Sequence, residues 1–305
     1  MSLGSSARDH SYEVTLSGER YLIERYGTDG DMSEARRLIK ELSTRVDAIG
    51  LGGIDLKLTV EDRVFYIREA LALTKEIEGI ALVDGSGLKN TLEPRIIQLL
   101  QEERTIDFRG KQVLFVCASD RYALAKALEQ AGAKLIIGDL VFGLGIPWPL
   151  YSLRAFSRVA TAILPVVTQL PFNMLYPTGA KQNENKPERD KYFAAADIIA
   201  GDFHYIKRYM PKSLYGKVII TNTLTAKDIE DLRARGVSMV ISTTPEMGER
   251  SFGTNVMEAL MIASKGAKQA LTDQEYLQII DEMGLRPRII DFYEKNCGRE
   301  GAQFE

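Results

Sequence analysis

Apolar and polar positions along this chain follow two periods, and they predict its elements. Residues 11–26, SYEVTLSGERYLIERY, alternate around Ser17-Gly18-Glu19, the pattern of a β-hairpin turning at Gly18. Ala35, Leu38, Ile39 and Leu42 then recur at helical spacing behind Asp31 or Ser33, either of which can cap the helix. Residues 46–51 read as a short buried strand ending in Gly52-Gly53-Ile54-Asp55, residues 63–68 as another strand and 69–77 as a helix. GIALVDGSGLKNTLEPRIIQLL repeats strand, glycine loop and helix, with Pro94 in a first turn where its missing N–H costs nothing.

DFRGK, residues 107–111, marks a junction. Beyond it short apolar runs at 113–117, 134–138, 162–167, 197–200, 217–220 and 238–242 alternate with helical patterns. Near-continuous apolar strands joined by crossovers imply a parallel sheet covered on both faces. The expected fold is therefore α/β. A Rossmann-like doubly wound parallel sheet occupies 107–270, and a smaller N-terminal α/β domain, the substrate domain, occupies 1–106. A helical segment, 271–305, breaks near Gly284 and Pro287 and packs near the interdomain cleft.

Composition narrows the classes. Of 305 residues, 45% are hydrophobic and 27% charged, as in ordinary globular proteins. Lys plus Arg number 39 against 42 Asp plus Glu, a formal charge of -3, which argues against a nucleic-acid or anionic-membrane partner. Two cysteines, Cys117 and Cys297, lack CxxC spacing, and two histidines, His10 and His204, stand far apart, so no metal is expected. The N-terminus has no signal-peptide core and no run is long enough to span a membrane, so the expected setting is cytoplasmic. Met1-Ser2-Leu3 has the look of an expression scar. A homo-oligomer is left open.

In open parallel sheets ligands bind outside the carboxyl ends of the strands. Following the runs in order come Ser119-Asp120-Arg121, then Asp139 and GLGIPWP, then TQLPFNMLYPTGAKQ, GDFHYIKR, TNTLT and TTPEMGERSFGTN. The first turn, CASDRYA, lacks the glycine fingerprint of a dinucleotide fold, yet Ser119 can cap the helix over 121–132 and Arg121 adds a positive charge toward a phosphate. Asp139, about twenty residues on, stands where an acid accepts hydrogen bonds from an adenosine ribose; it can instead cap the next segment. Thr221, Asn222, Thr243, Thr244 and Pro245 complete the cofactor-binding candidates. These residues point to NAD, with NADP open, because a carboxylate at 139 would repel a 2′-phosphate.

Several stretches resemble a known family. DFRGKQVLFV is similar to the opening of the nucleotide domain of shikimate and quinate 5-dehydrogenases. MVISTTPEMG resembles that family's segment beside the nicotinamide. GSSARDH, ERYGTDGD, AIGLGGIDL, VDGSGLKNTLEPR, LYPTGAKQ and ADIIAGDFHYIKRYMP, with TTPEMGERSFGTNVMEA, resemble bacterial proteins labelled quinate 5-dehydrogenase over nearly the whole chain. The resemblance implies an NAD(P)-dependent oxidoreductase acting on a small hydroxylated carboxylate. Two departures stand out. The GAGGA turn is replaced by CASDRYA, and the NVTxPxK segment bearing that family's catalytic lysine has no counterpart.

Oxidising a secondary alcohol needs a base for the hydroxyl proton while hydride leaves to the nicotinamide. Lys89 with Asp84, in DGSGLKN, and His204, after the GD of GDFHY, are the catalytic candidates; a solvent-facing lysine and a surface histidine are the plainer readings. Asp55, Thr178, Lys181 and Asn255 are candidates for the small-molecule substrate. Thr178 and Lys181 lie in an anion-suited YPTGAKQ loop that lacks Walker spacing, and Asn255 opens a helix that is otherwise plain core. Two other classes stay open: a nucleotide- or metabolite-binding regulatory protein without turnover, and a non-redox transferase on the same scaffold.

Overall fold

A computed structural model describes residues 1–16, 18–75, 77–171, 189–247 and 250–293. The first strands, β1 (His10–Leu16) and β2 (Glu19–Arg25), form the expected antiparallel hairpin, with Gly18 at φ 84° in the turn. Helix α1 (Met32–Leu42) starts at Asp31, whose side chain accepts from the amides of Ser33 and Glu34; its inner face buries Ala35, Ile39 and Leu42. Strand β3 (Ala48–Gly50) follows, then a hairpin of β4 (Lys57–Val60) and β5 (Arg63–Tyr66). Only the second of those strands is expected from the pattern; the first pairs with it from Lys57↔Tyr66 to Val60↔Arg63. Helix α2 (Arg68–Thr74), strand β6 (Ala81–Val83), the single helical turn α3 (Ser86–Asn90) and α4 (Leu92–Glu102) complete this half of the chain.

The second half runs β7 (Gln112–Phe115), α5 (Tyr122–Gln130), β8 (Lys134–Ile137) and α6 (Leu153–Val167). Then come α7 (Asp190–Ala195), β9 (Ile198–Ala200), α8 (Phe203–Tyr209), β10 (Val218–Thr221), α9 (Ala226–Ala234), β11 (Met239–Ser242), α10 (Thr254–Ser264), α11 (Asp273–Glu282) and β12 (Arg288–Asp291). Two expectations are corrected here. Residues 162–167 are not a strand but the end of α6, whose buried positions Leu153, Phe156, Ala160 and Leu164 repeat at helical spacing while Val166 is exposed. The tail is not wholly helical, since β12 pairs antiparallel with β11, from Met239↔Asp291 to Ser242↔Arg288. The fold is mixed α/β with a six-stranded, mostly parallel sheet.

The chain divides into two compact units, neither continuous in sequence. One comprises Met1–Glu93, Ser157–Glu184 and Met247–Leu285; the other comprises Pro94–Phe156, Asn185–Glu246 and Arg286–Glu305. The first unit contains the parallel pair β3–β6 and a core of Met1, Leu3, Ala35, Ile39, Ile49, Leu51, Ile67 and Ala70. Met1 and Leu3 are thus core residues, and the amide of Leu3 donates to Gly52 O, so the opening tripeptide is built into the fold. The second unit contains the six-stranded sheet, ordered β12-β11-β10-β9-β7-β8. Alternate residues Leu114, Ile199, Ile219 and Val240 join one buried cluster with Phe193, Phe203, Ile206 and Leu232 from the helices.

Candidate functional site

Each unit presents the carboxyl ends of parallel strands, the place where α/β folds put their chemistry. In the second unit the chain leaves β7 for β8 on one side and returns to β9 on the other, so the order reverses between β7 and β9. The turn after β7 is gathered by Asp139. Its Oδ2 accepts from the amide of Ala118 and its Oδ1 from the amide of Ser119, both at 2.8 Å. Burial pushes the Asp139 carboxyl above the ordinary carboxylate range, and these hydrogen bonds work against that. Burial, together with the charges of Asp139 and Asp120, pushes the Cys117 thiol well up, which suppresses the reactive thiolate.

The expected cap and charge at this turn are corrected. Ser119 does not cap α5: the N-cap is Arg121, without a side-chain hydrogen bond, and the Ser119 hydroxyl lies 3.4 Å from Cys117 Sγ. With its amide drawn to Asp139, Ser119 stands three residues ahead of the helix. Arg121 is turned to acidic neighbours. It is 3% exposed and pairs with Asp120 at 3.2 Å and Asp202 at 3.3 Å. Asp202 follows Gly201, whose φ of 132° favours glycine, and caps α8 by accepting from the amide of His204. Burial would raise Asp202. The charges of His204 and Arg121 and the hydrogen bond from Asn222, at 2.7 Å, outweigh it and hold the carboxyl at about 2. His204 itself is exposed on the first turn of α8.

The remaining strand-end hydroxyls turn inward. Thr221 donates to Gly201 O at 2.7 Å, and Ser242 donates to Asn222 O at 2.8 Å and Thr244 O at 3.0 Å. Thr221, Thr243, Thr244 and Pro245 are buried, whereas Ser119, Asp139 and Asn222 remain partly exposed on the rim.

In the first unit the structure brings together residues from three separate stretches of the sequence, around 55, 84–89 and 255. Lys89 Nζ donates to Asp55 Oδ1 at 2.6 Å, and the two residues are 8% and 9% exposed. Lys89 is therefore no solvent-facing lysine, and its carboxylate partner is Asp55 where Asp84 was expected. Asp84 instead ties two loops, accepting from the amide of Leu56 at 2.6 Å and from the amide and hydroxyl of Ser86. Asn255 joins them because α10 opens against the same turn. A Cβ on Gly85 would lie 2.5 Å from Thr254 Oγ1 and 2.8 Å from the Asn255 amide, so the glycine there is required by the helix.

Two residues of this cluster, Glu258 and Tyr276, do not stand out in the sequence. Glu258 of α10 is 2% exposed and accepts from the Tyr276 hydroxyl at 2.7 Å and the Gly87 amide at 3.2 Å. Its one signal is a lone acid in the apolar run MEALMI. Thr178 and Lys181 lie outside the described residues. Among the described residues no group of three or more His, Cys, Asp or Glu is placed to hold a metal ion, and no helix is long and apolar enough to cross a membrane.

Two family models match the sequence. A domain of unknown function, DUF8754, matches residues 87–292, and a second, DUF8753, matches residues 1–84. No curated protein matches. Among solved structures, the chain is similar to a malic enzyme of Entamoeba histolytica, with TM-score 0.36, 12% identity, and 85% of this chain covered against 53% of that one. A hetero-hexameric glutamate dehydrogenase of Thermus thermophilus gives 0.40 and 12%, with 82% and 60% covered. A glucose-galactose binding protein of Geobacillus stearothermophilus gives 0.34 and 12%, with 86% and 82% covered. The chain thus spans about half of the malic enzyme and three fifths of the glutamate dehydrogenase.

Proposed function

We propose that this chain, which belongs to the DUF8754 family of unknown function, is an NAD(P)-dependent oxidoreductase acting on a small hydroxylated carboxylate of the quinate or shikimate kind. The observation that carries this reading is the buried Lys89–Asp55 pair, set where two parallel strands end. Asp55 favours the ammonium form of Lys89. In carbonyl reduction Lys89 then donates its proton to the substrate oxygen, and Asp55 holds the amine in place. In the reverse direction the neutral amine takes the hydroxyl proton back.

In the second unit, Asp139 stands at the end of the second strand of a Rossmann-like sheet. Its two amide contacts leave further lone pairs for a ribose diol, and its charge favours NAD over NADP. Helix α5 opens without a capping side chain, so its first amides can meet the pyrophosphate. The cofactor would supply the hydride acceptor or donor.

Titration of the purified protein with NADH and NADPH, followed by nicotinamide fluorescence, tests this. Binding of NADH is expected, and binding of neither form overturns the reading. Lys89→Met should leave NADH binding intact and abolish turnover of the hydroxy acid; full turnover would remove Lys89 from the chemistry.

A second reading is a metabolite-binding protein without turnover. It is favoured by the fate of the groups that would ordinarily meet phosphate: Arg121 is held between two aspartates, and the Ala118 and Ser119 amides are taken by Asp139. NADH binding without oxidation of any hydroxy acid would select it.

A further inference from the structure

Helix α10 packs against β3, β6 and α3 within the first unit. Glu258 projects from it among Met257, Leu260, Met261 and Ile262, all buried. One carboxyl oxygen, Oε1, accepts from Tyr276 and from the Gly87 amide; the other, Oε2, is buried with no hydrogen-bond partner. The fit leaves no slack. A Cβ on Gly87 would lie 2.4 Å from the Tyr276 ring and 2.6 Å from Glu258 Oε1. Gly87 is the second residue of α3 and Lys89 is the fourth. Whatever holds Gly87 therefore sets the turn that presents Lys89.

A carboxylate is poorly suited to this niche. An ionised group buried with one oxygen unsatisfied is expensive, and a neutral acid avoids most of that cost. The groups around it add no compensating charge. Asp84 faces it from the turn after β6. Lys89, on α3, is engaged by Asp55, and Tyr276 approaches from α11 with Asp273 near its own hydroxyl. Strands β3 and β6 bring no titratable side chain. Burial pushes the Glu258 carboxyl up to about 7, with Asp84 adding to the rise; the hydrogen bond from Tyr276 and the amides of Gly87 and Gly85 oppose it without cancelling it.

We propose that Glu258 is a positioning residue that works in its protonated form: with Tyr276 it latches Gly87 and so holds α3, and loss of its proton leaves a charge in the buried niche beside Asp84 that draws in water and loosens that turn, although both donors bind the ionised form more strongly. That Lys89 is the reacting amine rests on the function proposed above; the latch does not.

The sign of the linkage makes the test specific. The folded state binds this proton more tightly than the unfolded chain, whose glutamate titrates near the ordinary 4.5. Stability from this group is therefore full below about 4.5 and is lost as pH rises to about 7. Between pH 5 and 7.5, the Tm of the wild type should fall several degrees further than that of Glu258→Gln, which keeps an acceptor and cannot ionise. At pH 7.5, amide hydrogens of residues 85–90 should exchange faster in the wild type than in the variant. Tyr276→Phe removes a donor to the ionised form and should move the fall to higher pH.

Parallel pH dependence in wild type and Glu258→Gln overturns the proposal, as does a uniform loss of stability at every pH. If Glu258→Gln does not fold, Tyr276→Phe decides: a fall at unchanged pH overturns the latch. None of these readouts uses a nucleotide, so failure to bind NADH would remove the oxidoreductase reading and leave this one standing.

Discussion

The two strand-end clusters are built from the same materials and end in opposite electrostatic states. Each gathers buried acids and a buried cation behind parallel strands. In the second unit Asp202 receives hydrogen bonds from Asn222 and the His204 amide and lies beside Arg121, and it is held at about 2. In the first unit the ammonium of Lys89 is engaged by Asp55, Glu258 has Asp84 for a neighbour, and its carboxyl rises to about 7. Burial acts on both acids in the same direction. Each also accepts two hydrogen bonds from neutral donors, so what separates them is the sign of the neighbouring charge: positive beside Asp202, negative beside Glu258.

The largest effect that would sharpen this contrast is removal of one partner from the ion pair of the first unit. Asp55→Ala removes the carboxylate that accepts from the buried Lys89 ammonium and should cost about 3–5 kcal/mol in urea unfolding, as breaking a buried ion pair does. The double variant Asp55→Leu/Lys89→Met should recover most of that. A double variant as unstable as the single one would mean that the pair's surroundings, and not the broken ion pair, carry the cost.

Next comes the turn after β7. Asp139→Ala strands the buried amide of Ala118 and should cost about 1–3 kcal/mol, the range for one buried group left unsatisfied, while the partly exposed Ser119 amide can meet water. It should also weaken NADH binding. A stable variant with unchanged affinity would show that Asp139 organises neither turn nor ligand.

Last is the acid limb set by Asp202. Its folded carboxyl is depressed from 3.8 to about 2, so the stability it contributes is present above 3.8 and lost as pH falls toward about 2. Asp202→Asn should remove about 2 kcal/mol of that acid sensitivity. If the slope of stability between pH 4 and pH 2 is the same in the variant, the two clusters differ less than their neighbouring charges imply.

Much of this is legible in the residues. The hairpin at Gly18, the cap at Asp31 and the parallel strands show through period and punctuation, because those signals are local. The end of α6 at 162–167 reads as a strand because six apolar residues in a row carry no period of their own; burial of Leu164 and exposure of Val166 supply it. The strand at 288–291 follows Pro287 and is too short to show alternation. At the sites the division is similar. Asp139 and Lys89 are visible as acid and base types after strands, but their partners are not. Arg121 has the look of a phosphate ligand and is instead the counterion of Asp120 and Asp202, the latter far along the chain.

By itself the sequence determined the periods of burial, the caps and turns, and which loops follow strand ends, since each depends on neighbours a few residues apart. Tertiary structure alone decided that Asp55, 34 residues from Lys89, neutralises it, and that Glu258, 171 residues from Gly87, meets its amide. A carboxyl's charge state depends on the donors and dielectric around it, and those arrive only when distant segments pack.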